Sequence, residues 1–316
     1  MQGSWRCSAW RIAIGAIAVI AVQRPALRAQ TFRSTTDLVN VTATVLDKRG
    51  VPVFGLAQRD FTLFEDGKPQ AITFFTAEQQ PISVAIVVDT SGSMVDKIDD
   101  VRDAVQHFVD RLAPADEVAL LRFSTDVELL IEFGDSRDRA RRAIDRLRPN
   151  GGTALFDAVV AGLEEVRRGK HQKKALLLVT DGNDNASRIR QRDAIDAATK
   201  SEVLVYGLGI GHGEGGSFGH DRFDQQDRVD IGLLERLSER TGGRSYLLEE
   251  AHKKGVDLVD QTVQQVGSEL RQQYSLGYYP TNTAADGTFR KIEVKVTNRD
   301  YRVRAKSGYM APKAPP

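Results

Sequence analysis

Ile82-Ser-Val-Ala-Ile-Val-Val-Asp-Thr-Ser-Gly-Ser93 is the stretch on which the reading of this chain turns. Residues 82–88 are apolar with one interruption, Ser83, and lack the alternation of a half-buried strand. They predict a strand covered on both faces. The strand ends in Asp89, and two hydroxyls, Ser91 and Ser93, follow at alternate positions. One carboxylate and two hydroxyls leaving a buried strand suit a hard cation.

Outward from this strand the pattern repeats. Further apolar runs occupy residues 118–123, 175–179, 203–208 and 245–248. Between them, Ile98, Val101, Val105, Phe108 and Leu112 recur at helical spacing until Pro114 stops the segment. Ala140, Ile144 and Leu147 mark a second helix, and Leu155, Val159, Leu163 and Val166 a third. Residues 190–200 and 230–240 read as two more. Near-continuous β runs separated by helices predict an α/β fold over residues 81–250, a doubly wound, mostly parallel sheet with helices on both faces. Thr125-Asp126, between Phe123 and Val127, predicts one short antiparallel edge strand.

The flanks read differently. Residues 31–80 hold short strands: Val39, Val41, Ala43 and Val45 alternate with Asn40, Thr42 and Thr44. Asp47-Lys-Arg-Gly50 forms a turn, and Asp66-Gly67 after Phe61-Thr-Leu-Phe64 is a hairpin signal. A connecting helix falls in residues 251–272. Strands return over residues 273–310, where Tyr274, Leu276 and Tyr278 alternate, as do Ile292, Val294 and Val296. Neither flank has enough strands for a two-layer core. We expect both to build one small β-sandwich into which the α/β domain is inserted; two independent hairpins flanking the centre are the alternative. The Pro-rich residues 311–316 are expected to be disordered.

Composition bounds the rest. The chain has 316 residues, 41% apolar and 28% charged, with a net charge of +1, so it reads as soluble and globular, with no bias toward nucleic acid. Basic stretches at 137–148 and 167–174 read as solvated helix faces, without the aromatic interleaving that stacks bases. Residues 1–29 have a short basic start, an apolar run over 12–22, and Leu27-Arg-Ala29 at the end, the order of a secretory signal peptide. An uncleaved anchor is the alternative, and the only reading that brings a membrane in. Without residues 1–29 the balance is 40 basic against 43 acidic residues. Cys7 is the one cysteine and lies in that segment, so neither disulfides nor thiolate-bound zinc is expected. A secreted or periplasmic bacterial protein fits these features.

In a doubly wound sheet, ligands bind at the carboxyl ends of the strands, where the strand order reverses. Asp181 follows the run ending at Thr180 and should emerge at the same rim as Asp89. Thr153 follows Gly151-Gly152, which let the backbone fold tightly beside another group. Asp89, Ser91, Ser93, Thr153 and Asp181 can therefore converge on one Mg²⁺, Mn²⁺ or Ca²⁺ ion. Ser91 or Ser93 has another possible use, as the N-cap of the helix that follows. An ion held mainly by neutral hydroxyls keeps positive charge, which favours an acidic side chain from a partner protein.

These motifs carry a family resemblance. Asp89-Thr-Ser-Gly-Ser93, Gly151-Gly-Thr153 and Thr180-Asp-Gly182 resemble the metal-ion-dependent adhesion site of von Willebrand factor type A domains. The resemblance implies that those five residues coordinate a metal, usually Mg²⁺, directly or through water. Val51-Pro-Val-Phe-Gly-Leu56, Asp60-Phe61, Glu65-Asp-Gly67 and Tyr274-Ser-Leu-Gly-Tyr-Tyr279 are similar to exported bacterial "VWFA-related" proteins.

Other motifs carry less. Gly211-His-Gly213-Glu-Gly-Gly216 satisfies Gly-x-Gly-x-x-Gly, but no helix pattern follows it, so no nucleotide is expected. His212, His220, Asp221, Asp224 and Asp227 make a candidate second metal site or a solvated loop. The loop at 211–229 is expected either to overhang the metal rim and shape partner choice or to be a mobile surface insertion. No general base accompanies the metal motif, so an enzyme is not expected. The sequence reads as an exported, metal-dependent module for protein–protein interaction and adhesion. The alternative is an accessory subunit in bacterial envelope assembly or cofactor insertion.

Overall fold

The computed structural model describes residues 38–313, except 78, 182, 212–228 and 249–254, and the backbone alone at 255–261 and 263. Residues 1–29, for which a signal peptide is expected, most of loop 211–229 with its histidines, and residues 314–316 lie outside the described residues.

A six-stranded sheet forms the centre. Its strands are β5 (Ile82–Asp89), β6 (Glu117–Phe123), β7 (Val127–Ile131), β8 (Lys173–Thr180), β9 (Leu204–Ile210) and β10 (Ser245–Leu248), in the order β10-β9-β8-β5-β6-β7. All pairings are parallel except β6 with β7, the antiparallel edge expected from Thr125-Asp126. All eight residues of β5 are buried, which explains its unbroken apolar reading. Ile82, Val84, Ile86 and Val88 pack toward α1 (Ile98–Arg111), α2 (Arg137–Asp145) and α6 (Gly255–Arg271). Ala85 and Val87 pack toward α3 (Leu155–Arg167), α4 (Gln191–Lys200) and α5 (Ile231–Thr241). From β5 the chain crosses one face to β6, and from β8 it crosses the other to β9. The reversal therefore falls between β5 and β8, and ligands gather beyond the carboxyl ends of such a pair.

The flanking strands form two four-stranded sheets, β13-β1-β11-β4 and β14-β12-β2-β3. Strands β1 (Val39–Leu46), β2 (Phe61–Glu65), β3 (Lys68–Gln70) and β4 (Ile72–Thr76) precede the α/β unit. Strands β11 (Tyr274–Tyr278), β12 (Phe289–Val296), β13 (Arg302–Ala305) and β14 (Gly308–Met310) follow it. Each sheet joins strands from both sides: Val41 lies opposite Leu276, and Leu63 opposite Val294. Their inner faces share one apolar core that includes Val41, Leu63, Tyr274, Leu276 and Ile292. The hairpin reading gives way to a single β-sandwich with the α/β unit inserted.

Two expectations are corrected. Residues 311–313 are not frayed: Ala311 is buried and its N–H donates to the Thr288 carbonyl at 2.8 Å, and Lys313 bridges to Asp286. Backbone pairing continues because β14 lies against β12. Lys173, in the stretch read as a solvated helix face, opens β8 and is buried beneath the sandwich, donating from Nζ to the Gln273 carbonyl at 3.2 Å. Among the described residues no helix is long and apolar enough to cross a membrane.

Candidate metal centre

Asp89 and Thr180 end adjacent parallel strands, and the register places them side by side. Thr180 Oγ1 donates to Asp89 Oδ2 at 2.6 Å, and the Ser91 N–H donates to Asp89 Oδ1 at 2.8 Å. Both oxygens of Asp89 are thus oriented by neighbours while the residue is wholly buried. Burial, and then the negative charge of Asp181, push its carboxyl up to about 6.

Asp181 follows Thr180 and is also wholly buried, yet among the described residues neither of its carboxylate oxygens has a hydrogen-bond partner. Lys97 Nζ lies 3.8 Å from Oδ2, near enough to attract but beyond hydrogen-bond length. A buried carboxylate left this way is costly unless something else satisfies it.

The serines lie in the turn between β5 and α1. Ser91 Oγ and Ser93 Oγ are 3.0 Å apart, Ser91 buried and Ser93 exposed. Neither caps α1, which starts at Ile98 after Lys97, and Ser91 makes no side-chain bond to the short 3-10 turn it precedes. The capping alternative therefore fails, and the hydroxyls are left to face the rim.

Thr153 is buried where the second loop crosses the first. The Gly92 N–H donates to the Gly151 carbonyl at 3.1 Å, and the Asn150 N–H to the Thr90 carbonyl at 2.7 Å. Gly151 has φ +71°, and a Cβ there would sit 2.7 Å from Thr125 Oγ1; one on Gly152 would sit 2.8 Å from Asn185 Oδ1. Both glycines are needed for this close approach. The third loop completes the arrangement. Asn185 Oδ1 accepts from the Thr153 N–H at 2.8 Å, and the Thr153 carbonyl accepts from the Asn185 and Ala186 N–H groups at 3.0 and 3.1 Å. Asp184 Oδ1 accepts from the Leu155 N–H at 2.9 Å and Ser187 Oγ from the Phe156 N–H at 2.9 Å, so α3 is capped from the loop that carries Asp181.

All five residues singled out in the sequence thus stand on three loops that are bonded to one another at one end of the sheet. Sequence reasoning missed Lys97, Asp184, Asn185 and Ser187, and it placed Thr180 in the motif without its bond to Asp89. The available signal was the run Asp184-Asn-Ala-Ser187, whose side chains favour capping, but nothing local says that the helix they cap is α3. Among the described residues no group of three or more His, Cys, Asp or Glu side chains gathers. The donor set is hydroxyls and two carboxylates, which fits a hard divalent cation. The unsatisfied oxygens of Asp181 fit the same ion.

A doubly wound sheet flanked by helices on both faces defines a class of α/β domain, and comparison with known proteins agrees. The family model for the von Willebrand factor type A domain matches residues 83–252, more than half of the chain, and the chain belongs to that family. Such domains mediate protein–protein interaction or adhesion in general, are mostly non-enzymatic, and commonly bind a divalent metal. An uncharacterized protein of Synechocystis sp. is 30% identical over 136 residues, covering 42% of this chain and 32% of that protein. Human inter-alpha-trypsin inhibitor heavy chain H4 is 25% identical over 224 residues, covering 66% and 22%. The magnesium-chelatase 67 kDa subunit of Chlorobaculum parvum is 26% identical over 174 residues, covering 52% and 28%. The chain spans less than a third of the length of these curated relatives.

Among solved structures, a von Willebrand factor type A protein from Catenulispora acidiphila aligns at a TM-score of 0.51 with 13% identity, covering 89% of this chain and 74% of that one. Proximal thread matrix protein 1 from the mussel byssus, with a zinc-occupied MIDAS motif, aligns at 0.50 with 17% identity, covering 65% and 49%. These likenesses concern the fold.

Proposed function

We propose that this chain is an exported binding protein that takes hold of a partner protein through a divalent metal at the β5/β8 rim. The observation that carries the reading is Asp181, a buried carboxylate whose two oxygens have no hydrogen bond among the described residues, beside a second buried carboxylate. Asp89, Ser91, Ser93, Thr153 and Asp181 would hold Mg²⁺, or Mn²⁺ or Ca²⁺, whose positive charge attracts an acidic side chain of the partner. The residues around them prepare that role. Thr180 and the Ser91 N–H fix the Asp89 oxygens in advance, so little ordering cost remains at binding. Asn185 holds the Thr153 backbone, and the Gly151 contact fixes the second loop against the first.

Titration calorimetry with Mn²⁺ tests the reading directly. Wild type should bind one ion, and Asp89→Ala should bind none while keeping its circular dichroism. A partner recovered from envelope extract in Mg²⁺ should release in chelator and be absent with Asp89→Ala. Equal partner capture by that variant would overturn the proposal.

A second reading, an accessory subunit in envelope assembly or cofactor insertion, has the likeness to the magnesium-chelatase subunit behind it. The identity of the metal-dependent partner, surface ligand or envelope enzyme, separates the two.

A further inference from the structure

At the end of the sheet opposite the metal rim, where β8 and β9 begin, the sandwich leaves a crevice of about 340 Å³. That volume is within the range of small-molecule sites, which form preferentially where domains meet. The outer face of the sandwich contributes Thr42 and Ser275, and the α/β unit contributes Ser201. Three lysines line the crevice, Lys173, Lys174 and Lys306, against one acid, Glu202.

Among the described residues, Lys306 and Lys174 each have a carboxylate nearby, Glu202 and Glu117, whereas Lys173 has none. Lys173 is 6% exposed, and among the described residues its ammonium is paired with a carbonyl, that of Gln273, and with no carboxylate. Burial alone pushes it down to about 8. Lys306, with 11% of its side chain exposed, lies 3.6 Å from Glu202, whose own side chain is 70% exposed. Burial pushes Lys306 down as well. Lys174 donates to the Gly169 carbonyl. Buried cations are costly without a counter-charge, and a crevice this size admits one from outside. Ser201 and Thr241 already donate to the Ala198 and Ser238 carbonyls, so the remaining lining donors are the Thr42 and Ser275 hydroxyls and side-chain amides, and no arginine fork is among the described lining residues to match a planar carboxylate. Ammonium groups with hydroxyls suit a tetrahedral oxyanion.

We propose that this crevice binds a small phosphate-bearing ligand, free phosphate or a phosphomonoester, held between Lys173 and Lys306. The site is separate from the metal rim, so Asp89→Ala should leave it intact. The test is titration calorimetry and thermal unfolding of the full chain with inorganic phosphate and with glycerol phosphate, against sodium chloride of equal ionic strength and against citrate. Saturable binding with a Kd below about 10 mM is expected, weakened roughly tenfold by Lys306→Gln. Tighter binding of glycerol phosphate assigns the site to an ester, and equal or weaker binding to the free ion.

Lys173→Met gives an independent readout. Removing an uncompensated buried cation should raise the melting temperature of the ligand-free protein and abolish its rise with phosphate. A lysine serving only to anchor the Gln273 carbonyl would do the reverse, lowering the melting temperature and leaving the phosphate response unchanged. That result, the absence of saturable binding, or citrate matching phosphate would overturn the proposal.

Discussion

Asp89 shows how burial of a single side chain sets a pH response. It is desolvated and faces another carboxylate, so its proton is held more tightly than in the unfolded chain, with the carboxyl raised from 3.8 to about 6. A raised carboxyl means that this group's contribution is fully present below pH 3.8 and is lost as pH rises through about 6, a change on the order of 3 kcal/mol. A bound cation favours the ionised form and reverses the sign. In chelator, the urea midpoint should therefore fall between about pH 4 and pH 7, and saturating Mg²⁺ should remove that fall. Metal affinity should weaken below about pH 6, where protons compete for the same oxygen. Asp89→Asn should flatten both profiles, as urea titrations across pH with and without metal would show.

At the scale of elements, the site depends on α3 being capped by a neighbouring loop. Asp184→Ala removes the acceptor for the Leu155 N–H, which should cost about 1 kcal/mol in chelator. Because the same loop carries Asn185, which orders Thr153, the variant should also lose Mn²⁺ affinity, read by calorimetry. This coupling marks where sequence reading stops. Strand β5 was legible because its burial on both faces leaves no polar alternation, and α1 and α3 were legible because their buried residues keep helical spacing. Asp89, Ser91, Ser93, Thr153 and Asp181 could be proposed from the sequence because each follows a strand or a glycine pair. Asp184, Asn185 and Ser187 were not, since their partners lie 29 to 32 residues away and are brought close only by the fold. Lys173 was misread for a related reason: its neighbours Lys170 and Lys174 suggest a solvated stretch, while its burial comes from a sandwich assembled far along the chain.

At the scale of the whole molecule, the sandwich and the α/β unit are joined by a polar seam. Glu269 of α6, wholly buried, pairs with Arg304 of β13 and lies 3.3 Å from the Tyr246 hydroxyl. Beside it, Gln273 Nε2 donates to the Thr44 and Tyr206 hydroxyls, each at 3.3 Å. Glu269→Ala would leave the Arg304 guanidinium without its counter-charge and should cost about 3 kcal/mol, measured as a drop in unfolding free energy in urea.

The pairing of β1 with β11 has a consequence for biogenesis. Val39 lies opposite Tyr278, and the other neighbour of β1 is β13, so β1 waits through synthesis of the whole inserted unit before it can pair. In the interval, the inserted unit can collapse on its own local contacts, while four early strands remain sticky and incomplete. Folding should run from the middle outward, and the slow phase should report closure of the sandwich rather than formation of the loops at the rim.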